Sequence, residues 1–311
     1  PTFAWNPTPL GPAMTSPASG SESSSFALLD QRIQRWIWQS HWTELRDGQE
    51  RAIPPILEGT RDVIIAAATA AGKTEAAFFP ILTRLLASST PDCALYISPL
   101  KALINDQWSR LEGLCDTLDI PVIPWHGDIA DSRKKKFLKH PRGCLLITPE
   151  SLEGLLMRQG HALTGVFGGL RCIVVDELHA FLDTERGKQL QSLMHRVDVA
   201  LGRSVPRIGL SATLGELGLA AEFLRPGGAA GVVIIDSGHG GQELKVVVKG
   251  VYESPPAPDA EDGTEGEAKE VIGAGTTFVA DQLFATLRGS NNLVFPNSRN
   301  KVERYADLLR Q

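Results

Sequence analysis

An open α/β fold, with a parallel sheet covered by helices on both faces, is what this sequence predicts. Seven short apolar or β-branched runs recur along the chain, at residues 63–67, 94–98, 121–125, 144–147, 172–175, 207–210 and 232–235. Longer segments with helical spacing fall between most of them, at 74–86, 102–114, 187–201 and 215–224. The runs are apolar throughout rather than alternating, as strands buried on both faces must be. In such a sheet a ligand belongs at the carboxyl ends of the strands.

Taken in order, residues 1–26 hold five prolines, six serines and one charge, Glu22. A stretch so poor in apolar surface does not offset its ordering entropy, and a disordered tail is expected there. Residues 27–240 then carry the alternating pattern of one complete domain. Residues 241–276 read as a connecting strand (243–251) followed by an acidic, Pro-rich loop. Between Glu253 and Glu270 seven acids face a single base, Lys269. Residues 277–311 open a second unit, with helical spacing at 277–287, a strand at 293–295 and a helix at 301–309. No internal repeat is visible.

The 311 residues are 42% hydrophobic and 22% charged, a globular balance that excludes collagen, coiled coil and wholesale disorder. The longest apolar stretch, residues 63–71, is far short of the ~20 residues that cross a membrane. The first residues lack the basic cluster and apolar core of a signal peptide. A soluble, cytoplasmic protein with no membrane partner is expected. The net charge is −5, and without the acidic loop it is near neutral, which neither demands nor excludes a nucleic-acid partner. Cys93, Cys115, Cys144 and Cys172 form no Cys-x-x-Cys pair, and three lie in or beside strand runs. Buried free thiols in a reducing compartment are expected, with no thiolate metal site.

The chemistry concentrates in two places. Ala67-Ala68-Thr69-Ala70-Ala71-Gly72-Lys73-Thr74 follows the first strand and opens a helix. Small residues let backbone N–H groups curl around a phosphate, and the helix N-terminus adds its dipole. Lys73 would reach the β- and γ-phosphates of a nucleotide, and the Thr74 hydroxyl would ligate Mg²⁺. The spacing is that of a Walker A loop with Ala67 at the first position in place of glycine. Thr69, Ala70, Ala71, Gly72 and Glu75 complete the expected nucleotide-binding set. About a hundred residues on, an apolar strand ends in Asp176-Glu177-Leu178-His179. Two acids there are costly unless they meet a cation or lie at the sheet's edge. Asp176 would hold Mg²⁺, usually through water, and Glu177 would polarise the water that attacks the γ-phosphate.

These two segments and Ser211-Ala212-Thr213 resemble motifs I, II and III of the superfamily 2 DExH/DEAD-box helicases. Further matches follow in the same order. Leu45-Arg46-Asp47-Gly48-Gln49 resembles the Q motif, and Pro99-Leu100-Lys101-Ala102-Leu103 resembles motif Ia. Thr148-Pro149-Glu150-Ser151-Leu152 resembles motif Ib, and Leu293-Val294-Phe295-Pro296-Asn297-Ser298-Arg299 resembles motif IV. Trp125-His126-Gly127-Asp128, and Ser-Ala-Thr-Leu running on to Ala221-Glu222-Phe223-Leu224, are similar to the Lhr-type (large helicase-related) group and its Ski-type relatives.

The resemblance implies a RecA-like first domain, the start of a second one, and ATP-driven movement on single-stranded DNA or RNA. It also implies that Gln49 reads the adenine and that Ser211 and Thr213 couple the nucleotide state to domain closure. His179 would bond towards motif III. Pro99, Lys101, Thr148, Pro149, Glu150 and Arg299 would track the nucleic acid. The basic run Arg133-Lys134-Lys135-Lys136 either adds affinity by counterion release or is a solvated helix face. Trp36, Trp38 and Trp42 are expected to pack against the sheet, with base stacking the other option.

No segment resembling motifs V and VI, Gln-x-x-Gly-Arg-x-Gly-Arg, is present. The chain is therefore expected to be the N-terminal part of a longer helicase, or a truncated product. It would bind ATP·Mg²⁺ and hydrolyse it poorly until a second RecA-like domain, from a longer chain or another subunit, is supplied. A double-stranded-DNA translocase subunit and a non-catalytic ATP-binding module are the alternatives.

Overall fold

The computed structural model describes residues 25–68, 71–127, 129, 131–212, 217–237, 248–250, 274–289 and 292–310. The chain divides into two compact units, one ending at Gly241 and the other beginning at Gln242.

The first unit opens with helices α1 (Gln31–Gln39) and α2 (Asp47–Glu58). Asp30 caps α1 by accepting the Arg32 N–H, and Ile33 and Ile37, four residues apart, are its buried stripe. Gly59 ends α2 at φ +64, in the left-handed region that glycine occupies without penalty. Strands and helices then alternate: β1 (Val63–Ala66), α3 (Lys73–Ala87), β2 (Cys93–Ile97), α4 (Lys101–Thr117), β3 (Val122–Trp125), α5 (Asp131–Lys139) and β4 (Gly143–Ile147). They continue as α6 (Pro149–Arg158), α7 (Leu163–Phe167), β5 (Leu170–Val175), α8 (Glu185–Leu201), β6 (Arg207–Ser211), α9 (Leu217–Leu224) and β7 (Val233–Asp236).

All the strand pairings are parallel, in the order β3-β4-β2-β5-β6-β1-β7. Two apolar cores lie on opposite faces of this sheet. One gathers Ile33, Phe79, Tyr96 and Val174, the other Leu95, Phe137, Ile173 and Leu193. Strand residues alternate between the cores, and both faces are apolar, so the strands read as continuous apolar runs. All four cysteines are buried and unbridged, and burial pushes the Cys93 and Cys172 thiols up to about 12.

The opposite, amino-terminal edge of the sheet is held by an ionic clasp. Arg225 grips Asp62 with two hydrogen bonds, at 2.5 and 2.8 Å, and also meets Asp198 at 3.2 Å. Arg207 adds a 2.7 Å pair with Asp198 and donates to the Leu224 carbonyl. Asp62 in turn accepts the backbone N–H of Arg207 at 2.7 Å. These buried charges persist because each meets opposite charge and hydrogen bonds together.

Some sequence expectations hold here and others change. Trp36 and Trp42 pack edge-on against Phe79 of α3 and against the core on that face of the sheet, while Trp38 is 66% exposed beside Phe26. Arg133, Lys135 and Lys136 of the basic run lie on the exposed face of α5, while Lys134 is partly buried over the Trp125 ring and Phe137 is turned inward. In the second unit, helices α10 (Ala274–Leu287) and α11 (Arg299–Leu308) stand where helical spacing begins slightly later in sequence. The strand expected at 293–295 is not formed. Leu293 and Phe295 are 84% and 86% exposed, and among the described residues no strand lies beside them to form a ladder. Residues 248–250 are irregular, and the remainder of the expected strand 243–251 lies outside the described residues, as does the acidic loop. No helix among the described residues is long and apolar enough to cross a membrane.

Candidate nucleotide-binding site

The strand order decides which loops meet. β6 lies between β5 and β1, so the segments leaving the carboxyl ends of these three strands are neighbours. Ala67 N–H donates to the Ser211 carbonyl at 3.2 Å, tying the loop after β1 to the end of β6. Asp176 N–H donates to the Ile97 carbonyl of β2 at 2.8 Å, fixing where the chain leaves β5.

Between β1 and α3 the backbone turns through Gly72 at φ +78. A Cβ on this residue would come 2.3 Å from Gln49 Nε2, so both the conformation and the space call for glycine. Gln49 is 2% exposed, with both ends of its amide engaged. Its oxygen accepts the Arg46 N–H at 3.0 Å and its nitrogen donates to the Gly72 carbonyl at 3.2 Å. The glutamine thus braces the loop.

Lys73 folds back over the same loop, donating to the Ala67 and Ala68 carbonyls at 2.8 and 3.0 Å. Burial lowers its pKa, with Glu177 and Asp176 acting in the opposite direction. Thr74 is buried in the first turn of α3, and Glu75 accepts from Arg110 of α4 at 2.8 Å. Thr69 and Ala70 lie outside the described residues.

Asp176 is buried at the end of β5, and its Oδ2 accepts the Tyr96 hydroxyl at 2.5 Å. Burial holds its carboxyl above the ordinary carboxylate range, and the Tyr96 bond opposes that rise. Glu177 takes φ +47, a left-handed conformation that costs a non-glycine residue on the order of 1 kcal/mol. The turn moves its carboxylate out of the strand line to a half-buried position. His179 bridges two loops: Nδ1 lies 3.1 Å from Ser211 Oγ and Nε2 3.4 Å from Glu177 Oε2. A neutral imidazole satisfies both contacts by donating from Nε2 and accepting at Nδ1.

One sheet edge therefore brings together Gln49, Gly72, Lys73, Thr74, Asp176, Glu177, His179 and Ser211; Thr213 lies outside the described residues. The expected nucleic-acid residues of the first unit follow the neighbouring strands β2 and β4. Pro99 is buried and Lys101 exposed at the start of α4. Thr148 caps α6 by accepting the Ser151 N–H, and Pro149 is the first helical residue. Thr148 is also buried, with its hydroxyl turned to Ser151. Glu150 is committed to a two-point ion pair with Arg186 of α8, at 2.6 and 3.0 Å. Arg299 is exposed at the start of α11 in the second unit.

Sequence reasoning missed Tyr96 and Arg110. A tyrosine in an apolar strand run looks like any large core residue, and its partner is 80 positions away.

Residues 46–218 match the model of the DEAD/DEAH box helicase family. The chain is 30% identical over 301 residues to the ATP-dependent helicase Lhr-Core of Sulfolobus acidocaldarius, covering 92% of this chain and 32% of that protein. Among solved structures it resembles the Mycobacterium smegmatis helicase Lhr bound to ssDNA and AMP-PNP. That match has a TM-score of 0.66 at 26% identity, covering 92% of this chain and 36% of that one. The DUF1998 helicase MrfA shares the fold, with a TM-score of 0.69 at 23% identity, over 91% of this chain and 40% of that one. The chain spans about a third of the length of the curated relatives it matches.

Proposed function

The chain belongs to the DEAD/DEAH box helicase family, and from that premise we propose that it forms the ATP-binding side of a helicase or translocase acting on single-stranded DNA or RNA. The observation that carries this reading is the meeting of the loop holding Gly72, Lys73 and Thr74 with Asp176 and Glu177 at the carboxyl ends of the adjacent strands β1, β6 and β5, where Ala67 is tied to Ser211 and Lys73 rests on the loop carbonyls.

The residues fit ATP with Mg²⁺. Gly72 leaves the space that a Cβ would close, and the Lys73 ammonium rests on two loop carbonyls. It would exchange those carbonyls for phosphate oxygens, while the amino end of α3 adds its dipole. Thr74 and Asp176 would hold the metal, which supplies charge neutralisation at the β- and γ-phosphates. Glu177 would orient the attacking water and take its proton. Gln49 would act on the nucleotide through the loop it braces and through the second N–H of its amide towards adenine.

His179 and Ser211 already connect the acid-bearing turn to the end of β6, which supports a coupling role for both, with Thr213 beside them in sequence. Lys101, with Pro99 just before α4 and the helix start at Thr148 and Pro149, would meet the backbone of a single strand, and Arg299 would contact nucleic acid from the second unit. Glu150 would serve by orienting α6 through Arg186. A second RecA-like domain, in a longer chain or another subunit, would close the site over the γ-phosphate. The single-strand ligand of the solved Lhr relative supports this choice of nucleic acid. The cytoplasm, where four buried thiols stay reduced, is the proposed location.

The test is ATP turnover by the full chain, with and without single-stranded DNA or RNA, beside Lys73→Ala. Expected is a low basal rate that single strands do not raise until a second RecA-like domain is supplied, and that Lys73→Ala lowers further. Turnover indifferent to Lys73→Ala would overturn the reading.

A further inference from the structure

Tyr96 is the one tyrosine among the largest fully buried side chains of the described residues, only 1% exposed on β2. Its ring tilts against Phe78 of α3, with centroids 5.7 Å apart. In register it pairs with Val174 of β5. Its side chain therefore leaves the sheet on the face that also carries Val174 and, two residues on, Asp176. The ring fills core space that a phenylalanine would fill equally well. What the tyrosine adds is a hydroxyl that reaches out of the apolar layer under the site and donates to Asp176 Oδ2 at 2.5 Å. Arg110, whose charge acts on the tyrosine, is committed to Glu75 at 2.8 Å.

The Asp176 backbone is fixed by its N–H bond to Ile97, and the Tyr96 hydroxyl, with the Glu177 backbone beside it, restrains the rotation of the carboxylate. We infer that Tyr96 is the positioning residue for Asp176, holding the carboxylate in the orientation from which it would serve the Mg²⁺ that accompanies the nucleotide. This rests on the assignment of Asp176 as a Mg²⁺-holding acid. A metal-ligating carboxylate that is itself hydrogen-bonded from behind is held in the geometry the metal needs. The mixed environment of Asp176 follows from the same arrangement: it is deep enough to be rigid, and it has a neutral donor that stabilises its charge without competing for the cation.

The experiment uses the full chain and a fluorescent ATP analogue, titrated in EDTA and then across a range of Mg²⁺ concentrations. Tyr96→Phe keeps the ring and its contact with Phe78 and removes only the donor. Affinity in EDTA is expected to stay within about twofold of the unaltered chain. The Mg²⁺ concentration giving half of the metal-dependent gain is expected to rise roughly tenfold, the low end of the effect of removing such an outer partner. In an Asp176→Asn background Tyr96→Phe is expected to add nothing, because its effect passes through the carboxylate.

An unchanged Mg²⁺ dependence in Tyr96→Phe overturns the inference. So does an equal loss of affinity in EDTA, which marks a purely structural role. If the unaltered chain gains no affinity from Mg²⁺, the assignment of Asp176 falls first and the inference with it. If Tyr96→Phe does not fold, ζ-¹³C-tyrosine in the unaltered chain reads the same bond. Its Tyr96 resonance is expected to move when Mg²⁺ is added to the nucleotide-loaded chain, and a resonance that does not move overturns the inference.

Discussion

Burial at the end of β5 sets two properties of Asp176 against each other. Its carboxyl is held above the ordinary carboxylate range because the folded chain takes it out of water. Between the ordinary value and the raised one, the folded chain binds more protons than the unfolded chain. Stability therefore falls as pH rises through that window and stays lower at neutral pH. Asp176→Asn removes the charge and keeps an oxygen to accept the Tyr96 hydroxyl. It is expected to melt at a higher temperature than the unaltered chain at pH 7, with the difference vanishing in acid below the ordinary carboxylate range. Thermal unfolding followed by circular dichroism at the two pH values checks this, and a variant no more stable at pH 7 contradicts it. The chemistry of this residue was readable from Asp-Glu after an apolar strand. Its partner was not, because a hydrogen bond between positions 96 and 176 depends on strand register, which local sequence does not specify. Gln49 shows the same limit: its place in the sequence points to a nucleotide, while its contact with Gly72 appears only when α2 packs beside the loop.

Elements were readable wherever burial made a pattern. Each of the seven apolar runs became a strand of the sheet, shifted at its ends by no more than two residues, because a strand covered on both faces has no polar position to blur the signal. The run at 293–295 has the same composition and stays irregular, since composition reports what a strand can bury and not whether a neighbour exists to pair with it. The ionic clasp was also hidden. Asp62, Asp198, Arg207 and Arg225 come from four elements or their flanks, and nothing in their local sequence distinguishes them from surface charges. Their burial gives them weight at the element scale. Asp62→Ala leaves Arg225 half-buried without its two-point partner and removes the acceptor of the Arg207 N–H. A loss of about 3–5 kcal/mol in urea unfolding is expected, as for other buried pairs broken on one side. Affinity for nucleotide should be unchanged, because the clasp sits at the opposite edge of the sheet. A loss below about 1 kcal/mol would show that the clasp is ornamental to stability.

At the scale of the first unit, the sheet separates two tasks between its edges. The amino-terminal edge carries the charges that lock strands to helices. The carboxyl edge carries Gly72, Lys73, Asp176, Glu177 and His179, held by hydrogen bonds between the loops. The sequence motifs located this edge because phosphate binding restricts residue type and spacing together: a small residue where backbone must approach, a lysine one position on, a hydroxyl after it. Strand order escaped the motifs, and strand order is what brings the loops after β1, β5 and β6 into one site. The most direct measurement is binding of a fluorescent ATP analogue to the full chain in the presence of Mg²⁺, for the unaltered protein and for Lys73→Ala. A saturable signal that Lys73→Ala weakens at least about tenfold, the worth of one charge-assisted hydrogen bond to phosphate, is the expected result. Binding of equal strength in both proteins, or in neither, would contradict the assignment of a nucleotide to this edge.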